Sequence, residues 1–208
     1  SGVNGARSST SFAKPLPLPR RAARCYPAAM SQDSPIPDQV KPLDAAVARM
    51  LSDVEPTVSG YGLRLYPCEV VTDDGATYSR VYVVEARAYI REWGVWPWDD
   101  RGKSWIPAEQ IRSLGSSPLR LPVKFAQLVL DAGESGMGYC AFSVTLRDRR
   151  RLYFVTGNAV DFPNWPPDVR PDDVVAVKPH DRYPAHRDRP PLSCESDADY
   201  AWSPFRPT

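Results

Sequence analysis

Histidine and cysteine are scarce in this chain of 208 residues. The two histidines are His180 and His186, and the four cysteines, Cys25, Cys68, Cys140 and Cys194, form no Cys-x-x-Cys pair. A zinc site would have to draw ligands from widely separated segments, so neither a metal nor a cofactor is expected. Cys68 and Cys140 lie in apolar, strand-like runs and are expected to pack as small core residues. A Ser or Cys nucleophile with an imidazole base is disfavoured too, since both histidines border a stretch without hydrophobic pattern, where a rigid geometry is hard to hold. An excess of one charge is also missing: the net charge of +1 gives no whole-molecule attraction to nucleic acid or an anionic membrane. No apolar run approaches the roughly 18 to 20 residues a spanning helix needs, and a cytoplasmic chain without a membrane partner is expected.

Proline, by contrast, is in excess, with 23 residues against a usual share of about 5%. Apolar residues at 42% and charged residues at 25% are ordinary for a globular domain. Residues 1–29 carry five basic residues and no acid, as a transit peptide would, but Pro15, Pro17 and Pro19 oppose the amphipathic helix that such peptides need. The favoured reading makes Met30 the natural start. Pro35, Pro37 and Pro42 mark a linker, and the sequence divides into a leader and linker to residue 42, a domain over 43–179 and a Pro/Arg-rich tail over 180–208.

Leu43, Val47, Met50, Leu51 and Val54 share one helical face. Strands follow at 63–72 and 78–90, joined by the turn residues Asp73-Asp74-Gly75. In the second strand Tyr82, Val84, Ala86, Ala88 and Ile90 are expected to point inward. Residues 123–132 have helical spacing and end before Gly133, the residue expected just beyond a helix. The glycine-rich stretch Gly133-Glu134-Ser135-Gly136-Met137-Gly138 then leads into a hairpin, Phe142–Leu146 and Leu152–Thr156, across the basic turn 147–151. Val174–Val177 reads as the last strand. The glycine stretch runs from helix into strand, the reverse of a phosphate-binding loop, so it reads as turn chemistry.

The two halves resemble each other in outline: strand, turn, strand, Trp/Pro loop, then a Pro-led strand at Ile106–Ile111 and again at Arg170–Val175. The expected fold is α+β, mainly antiparallel, with one or two packed helices and two hairpin or small barrel-like units sharing a core.

Three site expectations follow. Trp93, Trp96, Trp98 and Trp105 crowd one loop, either as a lid over the core or as an aromatic surface for a ligand. Glu134 and Asp161 offer two carboxylates, and Asn158 an amide, for acid-base or cation chemistry if the fold gathers them. Arg147, Arg149, Arg150 and Arg151 with nearby aromatics suit phosphate contacts and stacking, although Asp148 offsets part of their charge and a solvated hairpin tip is the plainer reading. The expected function is a non-enzymatic protein-binding module using the Trp-rich loop. The alternatives are a carboxylate enzyme and a nucleic-acid-binding β domain.

Overall fold

The computed structural model describes residues 35–100, 103–157, 160–181, 192–193 and 200–207. The leader and most of the expected tail lie outside the described residues.

Helix α1 (Ala45–Ser52) starts where Asp44 Oδ1 accepts from Ala46 N at 2.7 Å, a side-chain cap for an otherwise unpaired amide. It buries Val47 and Leu51, with Leu43 and Val54 buried just beyond its ends, whereas Met50, which the periodicity places on the same face, is exposed. Strand β1 (Thr57–Val58) pairs with the start of β2 (Arg64–Thr72), which turns into β3 (Thr77–Glu85). Gly75 sits at φ +84° in that turn, a backbone region glycine enters without steric cost.

The strand predicted to reach Ile90 stops at Glu85. Both Glu85 carboxylate oxygens accept from backbone amides, Arg87 N at 2.8 Å and Ala88 N at 3.1 Å, and helix α2 (Ala86–Trp93) begins there. Gly94, at φ +67°, ends it by donating to Ile90 O at 2.8 Å. The apolar positions of residues 86–93 fit both periods, and the carboxylate cap with helix-forming Ala86 and Ala88 decides for the helix. Nor is only one face of β3 buried. Tyr82 and Val84 pack on one side and Val81 and Val83 on the other, all at 0% exposure, because α1 covers one face and α2 the other.

The domain does not end at Pro179. Strand β10 (Ala201–Phe205) lies inside the first sheet, parallel to β3 and to the short β4 (Ser104–Trp105). Trp202 is 1% exposed. Proline is confined to unpaired strand edges, and Pro204 satisfies this because β4 pairs only with Ala201 and Trp202. The linker also packs in part: Val40 is buried and Arg206 N donates to Lys41 O at 3.0 Å. The first sheet runs β1-β2-β3-β10-β4, with β5 (Ile111–Ser116) against the other half of β2.

Helix α3 (Val123–Ala132) matches its predicted span and ends at Gly133. The second sheet has the order β8-β6-β7-β9, from β6 (Cys140–Leu146), β7 (Arg151–Thr156), β8 (Val174–Pro179) and β9 (Leu192–Ser193). Among the described residues neither sheet closes, so the units are hairpin units and not barrels.

The outline repeat extends to single hydrogen bonds. Gly75 N donates to Thr72 O and Arg149 N to Leu146 O, both at 2.9 Å. Asp74 Oδ1 accepts from Ala76 N, as Asp148 Oδ1 does from Arg150 N. In each half a 3-10 turn opened by proline, Ala108–Gln110 after Pro107 and Pro171–Asp173, leads into a strand antiparallel to the first hairpin strand. Asp73 N donates to Gln110 O at 2.9 Å, and Arg147 N to Asp173 O at 2.8 Å. The second hairpin strand in each half takes a parallel partner from later in the chain, β10 on β3 and β9 on β7. The halves differ most in the connection after that strand, which in the first half contains α2 and the tryptophans.

Candidate functional site

Helix α2 places Tyr89 and Trp93 four residues apart, on one face. β10 brings Trp202 against both, and the three rings are mutually inclined: 55° between Tyr89 and Trp93, 63° between Trp93 and Trp202, and 66° between Tyr89 and Trp202. Their centroids are 5.2–6.5 Å apart. The Lys103 ammonium stands in the space they enclose, with Nζ 5.3 Å from the Trp93 centroid, 5.5 Å from Trp202 and 5.7 Å from Tyr89. It also donates to Tyr89 Oη at 3.3 Å and pairs with Asp100 Oδ2 at 3.2 Å. Only 13% of the Lys103 side chain is exposed. Ring faces are negative and a desolvated cation is drawn to them; with Trp93 and Trp202 beside the ammonium and the Tyr89 hydroxyl and Asp100 accepting from it, the box is electrostatically built for one positive charge. Burial, reinforced by the Asp100 charge, holds the Tyr89 phenol protonated well above its ordinary range.

A second row of rings runs from this box toward solvent. Tyr89 lies nearly parallel to Trp96 at 6.4 Å, Trp96 stacks on Trp98 at 5.2 Å and 8°, and Trp98 meets Trp105 at 4.9 Å. Trp96 is buried, whereas Trp93, Trp98 and Trp105 are half-buried. Trp96 thus serves the core, whereas Trp98 and Trp105 keep part of their surface exposed. Trp105 also lines a cleft of about 650 Å³ with Tyr78, Arg80, Ser104, Leu119 and Tyr200.

The structure does not bring Glu134 and Asp161 together. Glu134 is exposed, and its Oε2 accepts from Gly138 N at 3.0 Å across the glycine turn. In that turn a Cβ on Gly136 would stand 2.4–2.6 Å from the Cε1, Cζ and Oη atoms of Tyr139, so any other residue would have to push that side chain aside. Asp161 is fully buried elsewhere. Thr57 Oγ1 lies 2.8 and 2.7 Å from its two oxygens, Tyr82 Oη lies 3.2 Å from Oδ2, and Arg120 Nη2 stands 3.6 Å from Oδ1. Arg120 Nη1 also donates to Glu55 O at 2.7 Å. This network links β1, β3, the segment before α3 and the connection between β7 and β8, and Asp161 holds structure. Burial raises its carboxyl to about 6 against the opposing pull of Thr57, Arg120 and Tyr82. Asn158 lies outside the described residues.

The basic turn is largely neutralised where it stands. Arg150 binds Asp148 Oδ2 at 2.6 Å and Asp168 Oδ2 at 2.5 Å. Arg151 pairs with Asp181 at 2.5 Å and lies over the Tyr153 ring, while Arg147 donates to Asp172 O at 3.4 Å. Arg149 occupies the left-handed position of the turn, at φ +70°. Three of the four cations that could have gathered on one phosphate, Arg147, Arg150 and Arg151, are instead held by local partners.

One pair escaped the reading of the sequence. Ser135 Oγ and His180 Nδ1 are 2.9 Å apart, and His180 Nε2 is 2.9 Å from Ala132 O. The carbonyl assigns the proton to Nε2 and leaves Nδ1 to accept from the serine hydroxyl. Ser135 Oγ also accepts from Ala141 N at 2.8 Å, so the hydroxyl braces the turn. Among the described residues no group of three metal-ligating side chains occurs. Cys68 is a buried thiol pushed up to about 12 by its burial, which leaves it inert.

Comparison of the chain with protein-family models, with curated proteins and with solved structures gives no match. Residue roles therefore rest on geometry alone.

Proposed function

We propose that the protein is a non-enzymatic module that binds a protein partner through the Trp-rich connection of its first unit. The observation that carries this reading is the outward ring row, Trp96 to Trp98 to Trp105, anchored at one end in the core and half-buried at the other. Rigid aromatic side chains supply large contact area at low cost in conformational entropy, and they dominate binding hot spots. The second unit repeats the scaffold without this feature. There the shorter connection carries Trp165, which donates to Leu119 O at 2.8 Å and packs edge-on against Phe154.

The alternatives draw less support. The carboxylates of the enzyme reading sit in separate surroundings, and the arginines of the nucleic-acid reading are mostly paired. A random-peptide display selected on the full chain and on a Trp98→Ala/Trp105→Ala variant tests the proposal. A consensus enriched by the native chain and lost on the variant supports it. No consensus, or one the variant retains, overturns it.

A further inference from the structure

We propose that the box of Tyr89, Trp93, Trp202 and Asp100 is a binding site for an N-methylated lysine side chain of the partner, and that Lys103 occupies it as a built-in competitor. The inference deepens the binding-module reading by naming the group recognised.

Size is the first argument. The Lys103 nitrogen stands 5.3 Å from the Trp93 centre and 5.5 Å from the Trp202 centre, beyond the optimum for contact, about 3.5–4.0 Å between carbon atoms, while it meets Tyr89 at its hydroxyl edge, 3.3 Å from Oη. A methyl carbon carried on such a nitrogen reaches about 1.5 Å further and would stand at van der Waals distance from a ring face. The bare ammonium thus leaves a shell that methyl groups fill. Methylation also spreads the charge and lowers its hydration, which favours aromatic enclosure.

Polarity is the second argument. Asp100 and Tyr89 Oη lie on one side of the nitrogen, at 3.2 and 3.3 Å, and can accept from an N–H. The box therefore suits mono- and dimethyl-ammonium, which keep a hydrogen, better than a quaternary ammonium, which does not.

Displaceability is the third. Lys103 belongs to the connecting loop, with its backbone held by one bond from its own N to Asp100 O at 3.1 Å before β4 begins. No other backbone bond of Lys103 is formed among the described residues, and a lysine chain reaching inward from a loop can retract into solvent. Among the described residues the corresponding connection of the second unit has no such box, so the feature belongs to the part of the protein that the shared plan does not require.

The test uses the full chain and small cations, so its outcome is independent of the peptide display. Tryptophan fluorescence is titrated with dimethylammonium chloride, with sodium chloride at matched ionic strength and isopropanol as the neutral isostere. If Lys103 fills the box nine-tenths of the time, Lys103→Ala should bind dimethylammonium about tenfold more tightly than the native chain. Lys103→Met, which refills the box with a neutral chain, should lose that gain, and isopropanol should fail on all three proteins. Equal affinity for the native and Lys103→Ala proteins, or equal response to isopropanol, overturns the proposal. A measurement on the native sequence guards against misfolding of the variant. After reductive methylation with ¹³C-formaldehyde, the Lys103 methyl signal should be shifted upfield by the rings, and added dimethylammonium should move it toward the signals of the other lysines. A signal at the solvent-exposed position from the start overturns the proposal.

Discussion

Thr57→Val isolates the buried network around Asp161. Valine keeps the shape of threonine and removes only the hydroxyl whose oxygen lies 2.8 and 2.7 Å from the two carboxylate oxygens. Both residues are at 0% exposure, so water cannot take the place of the lost donor. A hydrogen bond to a charged group contributes about 1.5–3 kcal/mol, against about 1 kcal/mol for a neutral pair. Burial raises the folded-state Asp161 carboxyl from 3.8 to about 6. The folded protein therefore holds this proton more tightly than the unfolded chain, and this group's contribution to stability is greatest in acid and declines as pH rises from about 4 through 6. A rise of that size is worth about 3 kcal/mol. Removing the hydroxyl raises the folded carboxyl further and steepens the decline. Urea denaturation of native and variant chains should give a loss of about 2–3 kcal/mol at pH 7.5, where Asp161 is ionised, and about 1 kcal/mol at pH 4.5. With a typical urea dependence, the midpoint at pH 7.5 falls by about 1 M. Other titrating groups cancel in the difference between the two proteins. A loss equal at both pH values, or larger in acid, refutes the assignment of a buried carboxylate stabilised by Thr57.

Three further outcomes test the fold. Arg149→Gly should stabilise the chain by about 1 kcal/mol in thermal denaturation, since a non-glycine residue is strained at φ +70° and the equivalent position already holds Gly75; a net loss would mean that the Arg149 side chain contributes more than the strain removes. Gly136→Ala should cost about 1–3 kcal/mol through collision with Tyr139, and the cost should fall when Tyr139→Ala is added. A chain cut after Pro179 lacks β10 and with it Trp202, which stacks on Tyr82 at 4.9 Å; it should lose cooperative unfolding, and a native-like near-ultraviolet dichroism spectrum would contradict the central position of that strand.

Much of the framework was legible because it rests on local signals. The face of α1, the end of α3 at Gly133, both hairpins and the repeat all follow from periodicity and turn residues within short windows. Helix α2 was misread because Ala86, Ala88 and Ile90 satisfy a period of two as well as Ala86, Tyr89, Ile90 and Trp93 satisfy the helical one, and only the cap at Glu85 separates them. β10 was hidden by Pro204 and by the Pro/Arg composition before it. The Asp161 network draws Thr57, Tyr82 and Arg120 from three distant segments, and no spacing announces it. The tryptophans were found, but not the box: Lys103 lies between Trp98 and Trp105, while Trp202 arrives from the far end of the described chain. A usable signal was present in Tyr89 and Trp93 at helical spacing, followed by Asp100 and Lys103 three residues apart.

Because β10 supplies both the parallel neighbour of β3 and one wall of the box, the first half of the molecule stays unfinished until the ribosome has passed the whole second unit. The order of synthesis is thus inverted in the order of completion. The later unit can mature around α3 while the earlier one waits with the edge of β3 open and the rings of α2 uncovered. During that interval the nascent chain exposes its most aromatic surface, and holding that surface apart from other chains becomes a task for the cell until the closing strand is delivered.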